Sequence, residues 1–134
     1  MPQRRANAPG ERVHSSQAVD AHLRAHLPRW SRDGDCIQRR YRTAGWKASV
    51  LAVGAVAHLA EAAWHHPELI VGYDHVVVRL STHSAGGVTD KDYELAERIE
   101  QLRQRAEQLR ELRQQLANRF ELALPGAEAL AAAA

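Results

Sequence analysis

Residues 61–92 read EAAWHHPELIVGYDHVVVRLSTHSAGGVTDKD, which contains a helix end, a hairpin and the start of a second helix. Pro67 follows two adjacent histidines and predicts the end of the preceding helix. The apolar runs 69–73 and 75–80 surround Asp74 and predict an antiparallel hairpin. Because the stretch holds four of the chain's eight histidines, its folding brings imidazoles from a helix end and a strand end towards each other.

The second strand of this hairpin alternates in a way that predicts a sheet with one buried face. Val76, Val78 and Leu80 point to one side of the strand, and Val77 and Arg79 point to the other. We therefore expect one face of the sheet to be covered and the opposite face to be wet.

Upstream of the histidine pair, residues 45–64 predict the central helix, with apolar residues on almost every face. Such a helix is covered on both sides, so we expect the sheet against one face and another helix or a second subunit against the other. Residues 18–27 predict a short amphipathic helix that Pro28 stops. A turn signature between Trp30 and the polar-faced strand 36–43 predicts a first hairpin.

Downstream, Thr89 and Asp92 have the spacing of a capping box at the start of a long helix. Leucines then recur every seven residues in a coiled-coil-like stripe, at Leu95, Leu102, Leu109 and Leu116. Arg113 stands where a second apolar residue is expected, and Leu112 lies beside it. The Pro-Gly pair at 125–126 ends the pattern.

These patterns divide the chain into four parts. We expect a disordered leader over residues 1–17, a folded domain over 18–104, a heptad-patterned helical extension over 105–124 and a flexible alanine-rich tail over 125–134. The longest part is a single domain.

Charge and composition argue against several classes of protein. The formal net charge of the 134 residues is +2, with arginines scattered rather than clustered, so nucleic-acid binding has no electrostatic basis. No apolar run approaches the roughly 18 residues that span a bilayer. The single cysteine, Cys36, cannot form an internal disulfide and suggests an inert thiol in a reducing compartment. We expect a soluble cytoplasmic protein.

The spacing within residues 61–92 resembles the signature of the pterin-4a-carbinolamine dehydratases. That signature runs Glu, three residues, His-His-Pro, a Tyr six residues after the Pro, Leu-x-Thr-His, a Gly-rich loop and Asp. Every element is present without a gap, at Glu61, His65, His66, Pro67, Tyr73, Leu80, Thr82, His83, Gly87 and Asp92. The resemblance covers about residues 18–104. The chain departs from the family pattern at Trp64, where a polar residue is common, and at 43–46, where Phe-x-Phe is usual.

The resemblance implies an α+β domain in which helices cover one face of a four-stranded antiparallel sheet, to which this chain adds an extended C-terminal helix. It also implies homodimers or homotetramers, and dehydration of a 4a-hydroxytetrahydropterin to the quinonoid dihydropterin without a metal or other cofactor. Relatives of the fold act as dimerisation cofactors and as Rubisco assembly chaperones. A non-catalytic binding or assembly factor is therefore the alternative, with the C-terminal helix as a possible site for a protein partner. The leucine repeat beyond the domain favours a longer helix that packs subunits together over such a dedicated partner site.

Loss of water from a carbinolamine needs one group to protonate the leaving oxygen and another to accept the proton of the adjacent ring nitrogen. Histidine suits both roles because its unperturbed pKa of about 6.5 keeps both protonation states accessible. The resemblance implies that His65, His66, His83 and Asp92 form the catalytic set. Glu61, Pro67, Tyr73 and Thr82 would bind substrate or support that set. The residues leave open which histidine is the acid.

Several of these residues also have purely structural interpretations. The histidine pair can cap a helix, and Asp92 can serve the capping box alone. Glu61 lies one turn before His65, which favours an orienting contact with that imidazole over direct catalysis. His58, Glu61 and His65 share a helix face, which leaves a metal site open although the zinc-peptidase spacing is different.

We expect no catalytic role for the tyrosine of the signature or for the histidines outside it. We expect Tyr73 to be a strand residue that packs at the hairpin. The histidines outside the signature are expected to face solvent, namely His14, His22, His26 and His75.

Overall fold

A computed structural model describes residues 11–120 of the chain. Within that range, strands and helices follow in the order α1 (Ser16–His26), β1 (Ser31–Asp33), β2 (Cys36–Arg42), α2 (Trp46–Ala63), β3 (Glu68–Val71), β4 (His75–Leu80) and α3 (Asp90–Arg119). The strands form one antiparallel sheet in the order β1-β2-β4-β3. The α+β fold predicted from the sequence is confirmed.

Strand β4 lies inside the sheet because it pairs with both β2 and β3. Ile37 lies opposite Leu80, and Leu69 lies opposite Val78. Val76, Val78 and Leu80 are at most 1% exposed, as the alternation predicts. This buried face is the floor of the hydrophobic core.

All three helices contribute side chains to that core. The helical members are Val19 and Leu23 from α1, Val56 and Ala60 from α2, and Leu95 and Ile99 from α3. Fully burying a valine, leucine or isoleucine side chain contributes about 1.5–3 kcal/mol relative to leaving it exposed. Two compact units divide the chain, one ending at Ile99 and the other beginning at Glu100.

Helix α1 begins earlier than the sequence pattern suggests. Ser15 caps it, since the Ser15 hydroxyl accepts a hydrogen bond of 3.1 Å from the Ala18 amide. His14 precedes the cap, and its amide donates to the Val88 carbonyl at 2.9 Å. The end of the expected leader thus contacts the loop before α3. Residues 1–10 of the leader and the expected tail at 125–134 lie outside the described residues.

Helix α2 ends before the histidine pair. Trp64 adopts the left-handed conformation (φ 50°, ψ 44°), and its amide donates to the Glu61 carbonyl at 3.1 Å. The His65 amide then donates to the Ala60 carbonyl at 3.0 Å, which completes a Schellman motif. Helix α2 therefore ends at Ala63, one residue before the predicted end at Trp64, and both histidines lie in the turn that leads to Pro67.

The outer face of α2 is apolar and exposed in the single chain. Val56 and Ala60 are buried on the inner face, whereas Trp46, Val50 and Leu51 are 56%, 48% and 64% exposed. The expected cover on the sheet side is therefore present in the chain itself. A cover for the outer face would have to come from elsewhere.

Strand β3 is shorter than predicted, and Tyr73 does not pack at the hairpin. The strand ends at Val71, and the Gly72 amide donates to the His75 carbonyl at 2.8 Å, which closes the turn. The Tyr73 ring is 72% exposed, while its carbonyl accepts from the Ser49 hydroxyl at 3.1 Å. The backbone of Tyr73 is therefore fixed by a hydrogen bond, whereas its side chain faces solvent.

Helix α3 runs without a break from Asp90 to Arg119 and carries the leucine repeat into the second unit. No helix among the described residues is long and apolar enough to cross a membrane.

Candidate active site

Asp92 is fully buried and accepts three hydrogen bonds. Its Oδ1 lies 2.6 Å from His65 Nε2, and its Oδ2 accepts from the Thr82 hydroxyl and the Thr89 amide, each at 2.9 Å. Three donors compensate for the removal of a carboxylate from water. The capping box predicted at Thr89 is therefore present, and the same carboxylate holds the end of β4 and one of the histidines.

His65 is nearly enclosed, with a side chain that is 11% exposed. Because carboxylate oxygens only accept, His65 Nε2 is the donor to Asp92. The side chain lines a cavity of about 450 Å³ between the end of α2 and the first turns of α3, together with Trp64, Lys91 and Arg98.

His66 is the more accessible member of the pair, with a side chain that is 52% exposed. Its Nε2 lies 2.8 Å from Glu61 Oε2, and its ring meets the edge of the Trp64 ring at 5.1 Å. The expectation that Glu61 orients His65 is wrong. The left-handed turn at Trp64 breaks the helical register, so the carboxylate reaches the second histidine and not the first.

His66 and His83 line the same open cleft, which has a volume of about 370 Å³. The structure thus brings together histidines from the helix end and the strand end, as the sequence suggests, but the adjacent His65 lines the other cavity. The sequence also misses part of the cleft wall, which includes Asp33, Asp35, Glu68 and Arg79.

Arg79 forms the centre of the polar wall of this cleft. Its Nη1 donates to Asp33 Oδ2 at 2.9 Å and to Gln38 Oε1 at 2.6 Å. Strand alternation puts Arg79 on the wet face of the sheet. The alternation alone gives no sign of Asp33, because that residue arrives from the separate β1–β2 hairpin.

A tight loop presents His83 to the cleft. The Thr82 amide donates to the Gly87 carbonyl at 2.9 Å, and the Gly86 amide returns to the Thr82 carbonyl at 2.9 Å. Gly86 has φ +80°, and a Cβ on Gly87 would lie 2.7 Å from a methyl group of Val13. The loop therefore needs both glycines to expose the imidazole at its tip.

Three other residues of the signature lie away from the two cavities. Glu61 reaches the cleft only through His66, Pro67 is half-buried immediately before β3, and Tyr73 is exposed in the β3–β4 turn. None of these three lines either cavity.

Two histidines expected to face solvent instead stack on Tyr93. The ring centroids of His22 and Tyr93 lie 3.8 Å apart, and the two rings are nearly parallel. The His14 ring lies 5.1 Å from the Tyr93 ring, and His14 Nε2 lies 2.7 Å from Asp90 Oδ1. Burial, followed by the nearby His26, lowers the pKa of His22. Tyr93, in the first turn of α3, thus stacks with imidazoles from two upstream segments.

The other two histidines in that group differ from each other. His75 is half-buried beside Asp74, with Nδ1 3.0 Å from the carboxylate, whereas His26 is exposed as expected. Burial raises the pKa of Cys36, which agrees with an inert thiol. Among residues 11–120, no three His, Cys, Asp or Glu side chains are grouped to hold a metal ion.

Comparison with known proteins agrees with this fold. Residues 12–102 match the family model described as "Pterin 4 alpha carbinolamine dehydratase". The chain belongs to the pterin carbinolamine dehydratase family.

Similar proteins carry names that agree with the family match. A protein of Aquifex aeolicus, provisionally named pterin-4-alpha-carbinolamine dehydratase, is 46% identical over 77 residues, covering 58% of this chain and 78% of the relative. A protein of Natronomonas pharaonis with the same provisional name is 45% identical over 89 residues, covering 66% and 97%. The crystal structure of a transcriptional coactivator/pterin dehydratase from Brucella melitensis superposes with a TM-score of 0.61 at 28% identity, covering 66% of this chain and 96% of that one.

Proposed function

We propose that the protein removes water from a 4a-hydroxytetrahydropterin to give the quinonoid dihydropterin by histidine acid/base catalysis. The observation that carries the proposal is the convergence of His66 and His83 on one open cleft. The two imidazoles come from different parts of the fold, so one cleft offers two separate groups for proton transfer.

The chemistry needs little more than two proton transfers. The C4a–O bond breaks as the lone pair of N5 forms the C4a=N5 double bond, and the N5 proton passes to a base. One imidazolium protonates the departing oxygen, which leaves as water, and one neutral imidazole accepts the N5 proton. His66 and His83 supply these two groups in the proposal, in either order.

His65 and Asp92 act as positioning residues in this proposal. The bond from His65 Nε2 to Asp92 occupies one ring nitrogen, and the ring lines the neighbouring cavity rather than the cleft. This pair ties the turn that carries His66 to the start of α3. Thr82 supports the pair through its bond to Asp92 and leads directly into His83.

A steady-state assay with enzymatically generated 4a-hydroxytetrahydropterin tests the proposal. We expect His66→Ala and His83→Ala each to lower kcat by roughly 10²-fold or more. His26→Ala, on the exposed end of α1, is the matched control and keeps full activity.

One result would contradict the proposal. A folded wild-type protein that does not accelerate dehydration would remove the enzyme assignment. The alternative would then be a non-catalytic binding or assembly factor on the same scaffold.

A further inference from the structure

The second unit presents a narrow row of leucines on α3. Leu102, Leu109, Leu112 and Leu116 are 37%, 67%, 51% and 45% exposed, and we call these four residues the leucine seam. At about 100° per residue, three of them lie within about 20° of one line along the helix, and Leu112 lies at its edge. A stripe this narrow is typical of a coiled-coil contact rather than of a helix buried in a globular core.

Two arginines and three glutamates of this stretch lie on opposite sides of the helix. Arg105 and Arg113 lie within about 40° of Leu109, so they are next to the seam. The glutamates of the same stretch lie within about 20° of the opposite side. They are Glu100, Glu107 and Glu111.

The seam arginines have no carboxylate within reach along their own helix. Residues three and four positions from Arg105 and Arg113 are glutamine, leucine, arginine or alanine. Arg103, by contrast, turns towards the glutamate side, where it donates to Glu107 at 3.1 Å and approaches Glu100 at 3.5 Å. The positive charge beside the leucines is therefore not compensated within the helix.

A second copy of the chain is a poor partner for this surface. In a parallel pair with Leu109 at d, Arg113 faces its own counterpart and Arg105 faces Arg110 of the other helix. In an antiparallel pair centred on Leu109, Arg105 lies level with Arg113 of the other helix. Both arrangements put like charges beside buried leucines, which is unfavourable. The seam therefore selects against self-association.

We propose that the leucine seam docks an amphipathic helix of another protein whose apolar ridge is flanked by carboxylates. Leucines supply the buried area, while Arg105 and Arg113 supply complementary charge at the edges. A lipid surface fits less well because the apolar stripe is narrow and its borders are charged. Nucleic acid would leave the leucines unused. This inference is independent of the proposed dehydratase activity.

Isothermal titration of the full chain against two synthetic helical peptides tests the inference. Both peptides carry leucine at the a and d heptad positions, one with glutamate at e and g and the other with lysine there. We expect the glutamate peptide to bind at least about tenfold more tightly. The difference should shrink as salt is raised above about 0.15 M.

Charge-reversal variants make the test specific to the seam. Arg105→Glu with Arg113→Glu should invert the preference between the two peptides, with helical content by circular dichroism as the folding check. Gln104→Glu with Gln114→Glu adds negative charge away from the seam and should leave the preference unchanged.

Four results would overturn the inference. They are equal binding of the two peptides, an unchanged preference in the charge-reversed variant, a loss of self-association in Leu109→Glu, and binding to phosphatidylserine vesicles or duplex DNA that Leu109→Glu abolishes. The third would assign the seam to a second copy, and the last to a lipid or a nucleic acid.

Discussion

Asp92 is the residue on which the site and the fold both depend. Its two oxygens contact His65, Thr82 and the Thr89 amide with no exposure to solvent. A change that removes the acceptor from either oxygen therefore leaves a buried donor unsatisfied.

Asp92→Asn should destabilise the protein by about 2–3 kcal/mol, because the new amide group can accept at only one of the two positions. Urea unfolding followed by circular dichroism measures the change. Glu94→Gln, an exposed change two residues away, should stay within about 0.5 kcal/mol of wild type. Equal stability of the two variants would contradict the role given to Asp92.

Trp64 holds a conformation that its side chain disfavours. A residue with a Cβ in the left-handed region is less stable there than glycine by about 1–2 kcal/mol. Because the indole is 76% exposed, little packing is lost when it is removed. Trp64→Gly should therefore raise the free energy of unfolding by about 1 kcal/mol, whereas Ala62→Gly, inside α2, should lower it. A destabilised Trp64→Gly would show that the ring has packing value beyond its exposure.

His22 gives the fold a dependence on pH. Burial lowers its pKa in the folded chain, so the unfolded chain binds more protons than the folded chain once the pH falls to about 6.5. This contribution to stability is present above the ordinary pKa and is lost as the pH falls through the lowered one. His22→Phe keeps a ring against Tyr93 and should flatten the fall in melting temperature between neutral and mildly acidic pH, whereas His58→Asn should not.

Helix α2 packs against the sheet but contains Gly54, a residue of low helix propensity. Gly54 lies in its middle, and a Cβ there would meet no atom within 4 Å. Gly54→Ala should raise the free energy of unfolding by about 1 kcal/mol through helix propensity alone. Gly34→Ala is the opposite case, because φ at Gly34 is +56° and the change introduces strain. Thermal unfolding should show a higher melting temperature for Gly54→Ala and a lower one for Gly34→Ala.

The elements themselves were largely predictable because local patterns specify them. Alternation located β4, and the spacing of Thr89 and Asp92 located the start of α3. The end of α2 was not predictable to the residue, since a tryptophan rather than a glycine takes the left-handed position at its end.

The site was predictable only in part, for a related reason. The motif spacing identified the histidines, but which cavity each side chain lines depends on the direction of the chain after Trp64. The stacking of His14 and His22 on Tyr93 depends on contacts between distant segments, which local patterns do not carry.

At the scale of the whole molecule, the exposed face of α2 predicts assembly. Trp46, Val50 and Leu51 form an apolar surface, and contiguous exposed apolar surface commonly marks an interface. We expect a homodimer or homotetramer by sedimentation velocity, with a smaller mass for Leu51→Glu and an unchanged mass for Arg29→Glu, an exposed change outside α2. An unchanged mass for Leu51→Glu would contradict assembly through this face.

The burial of Asp92 bears on how activity could be lost over evolution. Under the proposed roles, a lineage that abandoned the chemistry would retain Asp92 and His65, because losing either leaves a buried polar group without its partner. His66 and His83 are exposed and could change at little cost to the fold. His66 and His83 are therefore the better markers for distinguishing catalytically active from inactive members among such proteins. An intact Asp92 indicates only that the protein still folds.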